Sequence, residues 1–223
     1  MDLIEYPDAE MMMMSLADKL AGEISRTLAG RDTALLAVPG GSTPGPAFDA
    51  LSAADLPWDR VKVMLTDERW VPEDSDRSNT RLLRRRLLTD RAAADYIPLY
   101  APVDQPEGAL DELAEPLREQ LPISVLLLGM GADLHTASLF PGADRLDDAL
   151  ADDAPPLMAM RAPGAPEPRI TLTAPVLRAA ISTHVLIVGT DKRRALDRAH
   201  GLPVREAPIN AVLPEATVHW AER

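Results

Sequence analysis

Val125-Leu126-Leu127-Leu128 runs directly into Gly129-Met130-Gly131-Ala132-Asp133-Leu134-His135, and the reading of this junction decides the fold. The apolar run is too short for a helix. Apolar throughout, it suits a strand covered on both faces, and the glycine-rich continuation marks the loop at its carboxyl end. The same pattern recurs three times. Ala34 to Val38 leads into Pro39-Gly40-Gly41-Ser42-Thr43-Pro44, Val61 to Leu65 into Asp67-Glu68-Arg69, and Val185 to Val188 into Gly189-Thr190-Asp191-Lys192. Helix-like stretches separate most of these runs, which predicts an α/β fold: an open, largely parallel sheet with helices on both faces. Ile97 to Tyr100, Arg169 to Thr173 and Thr217 to Trp220 are weaker strand candidates.

Working outward, Leu16, Leu20, Ile24 and Leu28 recur every fourth residue and predict a helix from Ala9 to about Leu28, stopped near Gly30. Met11 to Met14 lie within it and read as packing or fraying residues. A second helix is expected from about Ser78-Asn79, with Leu82, Leu83, Leu87 and Leu88 inward and Arg81, Arg84, Arg85 and Arg86 as a solvated face. Asp147 to Pro168, rich in Ala and Asp and carrying Pro155, Pro156, Pro163, Pro166 and Pro168, reads as a surface excursion and not as a core element. No internal repeat or composition break divides the chain, so a single domain over residues 1–223 is expected.

The 223 residues carry 23 Lys plus Arg against 35 Asp plus Glu, a net charge of −12, which argues against nucleic acid or a membrane surface as partner. Cys is absent, excluding a disulfide framework, a Cys-ligated metal and a cysteine nucleophile. The acidic N-terminus lacks the features of a signal peptide, and the longest strongly apolar stretch, Ile123 to Ala132, is too short to span a bilayer. A cytoplasmic location is expected.

In an open parallel sheet ligands bind beyond the carboxyl ends of the strands, so the four loops above converge on one edge. Gly40 and Gly41 permit close backbone approach, Ser42 and Thr43 supply hydroxyls, and the helix opened by Pro44 would aim its first amides at an anion. The same residues also make an ordinary strand-to-helix turn. Only three lysines exist, Lys19, Lys62 and Lys192, and Lys192 falls at this edge with Arg69 and Arg169. In an acidic protein these cations suit an anionic ligand, or else they pair locally, Arg69 with Asp67 or Glu68 and Lys192 with Asp191. Of four histidines only His135 reaches the edge, with Asp133 two residues before it to orient it as a general acid or base. There is no Gly-x-Ser-x-Gly elbow, no Gly-Lys-Ser/Thr phosphate loop, no full dinucleotide fingerprint and no metal-ligand spacing.

The residues quoted also resemble a family. Gly40-Gly41-Ser42-Thr43-Pro44, Trp58 before a strand ending Asp67-Glu68-Arg69, Ser78-Asn79, Gly129 through His135 continuing as Thr136-Ala137-Ser138-Leu139-Phe140-Pro141-Gly142, Arg169 to Thr173 and the Gly189 to Lys192 turn are together similar to the 6-phosphogluconolactonases. The resemblance implies hydrolysis of 6-phospho-D-glucono-1,5-lactone in the pentose phosphate pathway, on the NagB/RpiA/CoA-transferase-like fold shared with glucosamine-6-phosphate deaminase, and no metal or cofactor. It implies that His135 is the general base with Asp133 beside it. Gly40, Gly41, Ser42, Thr43, Arg69, Arg169 and Lys192 become contacts for phosphate or sugar, with Asp67 and Asn79 shaping the pocket. Leu134 stands where that family has Gly. A positive φ there would cost roughly 1 to 2 kcal/mol, so either the loop tolerates the side chain or His135 is displaced. The rivals are a sugar-phosphate deaminase or isomerase, which follows its histidine with an acid that Thr136 to Gly142 lacks, and a noncatalytic sugar-phosphate sensor.

Overall fold

A computed structural model describes residues 1–89 and 91–223. In chain order its first half comprises β1 (Asp2–Glu5), α1 (Ala9–Leu28), β2 (Ala34–Val38), α2 (Gly45–Ser52), β3 (Val61–Leu65), β4 (Asp67–Arg69), α3 (Asn79–Arg86), β5 (Asp95–Ile97) and α4 (Leu110–Arg118). The second half continues with β6 (Val125–Gly129), α5 (Leu146–Leu150), β7 (Leu157–Met160), β8 (Arg169–Leu172), α6 (Ala174–Arg178), β9 (Ser182–Val188), α7 (Thr190–Ala199) and β10 (Thr217–Ala221).

Seven strands form one sheet in the order β1-β10-β9-β6-β2-β3-β5, every pair parallel. Successive strand residues face opposite sides of a sheet, and all five residues of β2 are buried, as are the first four of β6. Both faces are therefore covered, and this is why these strands read as unbroken apolar runs without alternation. The chain moves from β2 outward to β3 and β5, then returns to place β6 on the other side of β2. That reversal is a topological switch, and it opens a crevice between the loops that follow β2 and β6.

The α1 helix spans the expected residues. Asp8 caps it by accepting from the Met11 amide at 2.7 Å, and Leu16, Leu20, Ile24 and Leu28 form its buried stripe. Of the methionine run, Met12 and Met13 are buried while Met11 and Met14 face outward. Ser78 caps α3 in the same manner, accepting from the Arg81 amide. Among the described residues no helix is long and apolar enough to cross a membrane.

Three expectations need correction. Arg169 to Thr173 does yield a strand, but β8 belongs to a second, three-stranded antiparallel sheet, β4-β8-β7. Asp147 to Pro168 is not wholly a surface excursion, because Leu157–Met160 is a fully buried strand of that sheet. Its Leu-Met-Ala-Met composition lacks the β-branched residues that advertise a strand, and flanking prolines hid it. The strand expected over Ile97 to Tyr100 instead ends at Ile97, and β1, an edge strand of four residues, went unforeseen.

The small sheet matters for position. β3 runs through Thr66 into β4, the Thr66 amide donating to Val38 and the Leu172 amide to Thr66 at 2.9 Å each. This seam carries Asp67, Arg69 and Arg169 onto one wall of the crevice.

Candidate active site

Nine of the eleven residues singled out in the sequence line one cleft of about 320 Å³ beyond the carboxyl ends of β2, β6 and β9: Gly40, Gly41, Thr43, Asp67, Arg69, Asn79, His135, Arg169 and Lys192. The other two lie at its margin. Asp133 touches the His135 ring, and Ser42 faces an adjoining cleft of about 410 Å³ that shares Gly41, Arg69 and Asn79 and is walled by Arg81, Arg85 and Arg86. Those arginines are not all bare, since Arg81 pairs with Asp76 and Arg86 with Asp49.

His135 is held from several sides. Asp133 Oδ1 lies 2.5 Å from its Nδ1. A carboxylate can only accept, so Nδ1 carries a proton, and in the neutral ring it is Nε2 that keeps the free lone pair. Among the described residues Nε2 has no hydrogen-bond partner. Burial alone would raise the Asp133 pKa, but the neighbouring His135, through its charge and hydrogen bonds, outweighs that and holds it below the usual range. A Cβ on Gly131 would fall 2.1 Å from His135 Nδ1 and 2.2 Å from Asp133 Oδ1, so only glycine lets the pair lie on this loop.

Leu134 resolves the question of its place. It adopts φ 71°, its side chain is buried, its amide donates to Gly131, and its carbonyl accepts from the Ile209 amide at 3.1 Å. The loop thus tolerates a side chain in the left-handed region, anchored by burial and two backbone bonds, and His135 still faces the cleft.

Arg69 and Lys192 do not make the local ion pairs that the sequence offered as the alternative to an anionic ligand. Arg69 reaches neither Asp67 nor Glu68 with its guanidinium; Nη1 instead donates to the Arg77 carbonyl at 2.6 Å. Lys192 Nζ donates to the Met130 carbonyl at 2.8 Å, while Asp191 lies 3.9 Å from Arg194. Burial lowers the Lys192 pKa and the nearby Asp133 partly offsets this. Arg169 lies 3.6 Å from Asp67, and its pKa is lowered chiefly by burial. The Nε atoms of Arg69 and Arg169 are both buried without a hydrogen-bond partner among the described residues.

Sequence reasoning passed over three residues. Glu68, nearly fully buried, accepts from the amides of Arg69, Asn79 and Thr80 and from the hydroxyls of Ser78 and Thr80, tying β4 to the start of α3. Asn79 is thereby pressed onto Gly40, where a Cβ would sit 2.1 Å from its side chain, and donates to the Asp67 carbonyl. Ser138 donates to Asp67 at 2.6 Å. The Phe140 ring stacks on His135 with centroids 4.1 Å apart and also lies 5.2 Å from the Arg169 guanidinium carbon. Ser138 and Phe140 stand inside the stretch after His135 that had been quoted only for its resemblance. Among the described residues no group of three His, Asp or Glu is arranged to hold a metal ion.

Known proteins bear on this geometry. A family model described as glucosamine-6-phosphate isomerases/6-phosphogluconolactonase matches residues 7–220. The chain is 41% identical to the 6-phosphogluconolactonase of Rhizobium meliloti over 99% of this chain and 98% of that one. It is similar to the crystal structure of a 6-phosphogluconolactonase from Shewanella baltica, with a TM-score of 0.95, 34% identity and 99% and 97% of the two chains covered. A monomeric glucosamine-6-phosphate deaminase shares the fold at a TM-score of 0.82 but only 16% identity, over 99% of this chain and 97% of that one.

Proposed function

This chain belongs to the glucosamine-6-phosphate isomerase/6-phosphogluconolactonase family, and from that membership we propose that it hydrolyses 6-phospho-D-glucono-1,5-lactone to 6-phospho-D-gluconate in the pentose phosphate pathway. It acts in the cytoplasm, as one domain over residues 1–223, without metal or cofactor. The observation that carries the reading is the Asp133–His135 pair, 2.5 Å apart, whose free Nε2 shares a cleft with three cations.

A lactone is an ester, so its hydrolysis needs a water made nucleophilic and a proton for the departing ring oxygen. Asp133 fixes the tautomer. His135 Nε2 takes a proton from water as the oxygen attacks the lactone carbonyl, then returns it to the ring oxygen as the C–O bond breaks. Between the two transfers the imidazolium is stabilised by the Asp133 carboxylate. Arg69, Arg169 and Lys192 take the phosphate with the Gly40-Gly41-Ser42-Thr43 loop, and Asp67 and Asn79 shape the sugar side. The partially desolvated cations make phosphate the main handle, because charge-assisted hydrogen bonds strengthen as water is excluded.

The deaminase reading is not favoured. Thr136 to Gly142 has no acid to assist proton transfer beside the histidine, and the likeness to a deaminase extends to the fold alone. The test follows loss of 6-phosphogluconolactone at slightly acidic pH, where spontaneous opening is slow, with enzyme against buffer and with glucosamine 6-phosphate offered in parallel. The lactonase reading expects accelerated lactone loss and no ammonia. No acceleration over buffer would leave a sensor, and ammonia release would leave a deaminase.

A further inference from the structure

Asp133 alone does not fix the orientation of the base. That hydrogen bond meets the imidazole at its edge and leaves its faces to be held by packing, and the ring stacked on one face is Phe140. We propose that Phe140 is a positioning residue, a platform that sets the plane of the His135 ring and couples the base to the phosphate-binding Arg169; this rests on the lactonase reading of the cleft.

The backbone makes the platform. Ala137 adopts φ 49°, the Leu139 amide donates to the Thr136 carbonyl at 3.0 Å, and Thr136 and Leu139 form an antiparallel bridge, so the chain doubles back immediately after His135. The turn is pinned at three further points. Thr136 Oγ1 donates to the Gly129 carbonyl at 2.9 Å, the Ser138 amide to Thr171 Oγ1 at 3.1 Å, and Ser138 Oγ to Asp67. Phe140 emerges from that turn with its ring 28° from parallel to the imidazole and 4.1 Å from it between centroids, closer than the 5.8 Å of the Tyr6–His219 stack. Its placement is therefore imposed by the loop.

The same ring serves two charges. An aromatic face attracts cations, so Phe140 favours the imidazolium that forms as His135 takes its proton, and the Arg169 guanidinium already lies 5.2 Å from its centre. Asp133 is the carboxylate facing His135, and Asp67 faces Arg169 at 3.6 Å, with Glu167, Arg69 and Arg77 also acting on Arg169; Phe140 adds an uncharged contact to each. Removing the ring while keeping apolar bulk frees both groups at once, which mere packing would not do.

The test compares Phe140→Leu with Phe140→Tyr on the phosphorylated lactone, after correction for buffer hydrolysis. Misplacing a reacting group by about 1 Å costs up to ~100-fold, and Phe140→Leu is expected to lower kcat about tenfold or more while raising KM only a few-fold. Phe140→Tyr restores most of the lost kcat. A second readout needs no substrate: in proton NMR the His135 ring signals, identified by their absence in His135→Asn, lie upfield from the ring current of Phe140 and move toward ordinary values in Phe140→Leu but not in Phe140→Tyr. If Phe140→Leu keeps the wild-type kcat, or the His135 signals do not move, the platform is refuted. An inactive wild type with shifted His135 signals would instead overturn the lactonase reading and leave the stack standing.

Discussion

Among the described residues there are two histidine–carboxylate pairs, and they are built to opposite ends. Toward the amino end of β9, Glu23 Oε2 lies 2.8 Å from His184 Nε2, His184 Nδ1 lies 3.1 Å from His219 Nε2, and His219 Nδ1 lies 2.8 Å from the Tyr6 hydroxyl. Because the carboxylate only accepts, His184 Nε2 donates to Glu23, and the remaining ring nitrogens and the Tyr6 hydroxyl partner one another along the chain. Both imidazoles are almost fully buried, and no nitrogen is spare. At the carboxyl ends of the strands, Asp133 and His135 make a closer contact, 2.5 Å, yet one histidine nitrogen stays open to a cleft lined by Arg69 and Arg169, whose buried Nε atoms also lack partners. A complete hydrogen-bond inventory marks a structural pair. An incomplete one, facing a cleft, leaves a ring nitrogen free to meet a ligand.

The comparison sharpens first under acid. Burial, with smaller contributions from His184 and Lys19, pushes the His219 pKa down to about 4 from 6.5. The unfolded chain therefore takes up a proton on that ring before the folded one does. The stability this residue contributes is complete above about pH 6.5 and is lost as pH falls toward 4, a loss of about 3 kcal/mol. Glu23 adds in the same direction: burial would raise its pKa, but the hydrogen bonds from His184 and Ser182 and the charges of His184 and Lys19 lower it overall. Urea unfolding at neutral pH and near pH 4 should reveal the drop, with His219→Gln showing a smaller one. Equal pH dependence in the two proteins would break the contrast from the buried side.

On the cleft side, a charge-assisted contact is worth about 1.5 to 3 kcal/mol, so Lys192→Ala should lower kcat/KM for the phosphorylated lactone about ten- to a hundredfold, mostly through KM. Unphosphorylated gluconolactone, which the same reading expects to be a poor substrate for the wild type, should scarcely respond. A parallel loss on both lactones would mean that Lys192 does not meet the phosphate.

The smallest effect concerns Leu134. Glycine there would relieve about 1 to 2 kcal/mol of left-handed strain but delete a buried leucine side chain, a loss of about 2 to 5 kcal/mol where alanine replaces leucine. Leu134→Gly is thus expected to destabilise the fold by about 2 kcal/mol, the difference between the middles of these ranges, in denaturant titration. A stabilised variant would show that the strain outweighs the packing.

The parallel sheet was legible because its central strands are buried on both faces, which leaves an unmistakable run of apolar residues in β2 and β6. The loops at their carboxyl ends followed from topology, and with them His135, Arg69 and Lys192. β7 was not legible, because Leu157–Met160 is buried by tertiary packing within a segment whose prolines and missing β-branched residues argue locally for a loop. Glu68 stayed hidden for a related reason. A carboxylate that accepts from Arg69, Ser78, Asn79 and Thr80 looks in one dimension like the surface acid beside an arginine. Phe140 reads as an ordinary apolar residue until the turn at Ala137 folds it onto the histidine. Patterns set by burial on a regular element survive in sequence, whereas contacts made by chain reversal do not.

The central claim is that the open histidine, and neither of the satisfied ones, performs the proton transfer. Steady-state turnover of 6-phosphogluconolactone by His135→Asn, corrected for spontaneous hydrolysis and paired with binding of a substrate analogue, tests it most directly. Asn can keep a hydrogen bond but cannot accept the proton of the attacking water, so kcat should fall by about 10² to 10⁴, the usual share of general acid–base catalysis, with analogue affinity and fold retained. Wild-type turnover in His135→Asn, or loss of analogue binding with the fold intact, would contradict the assignment.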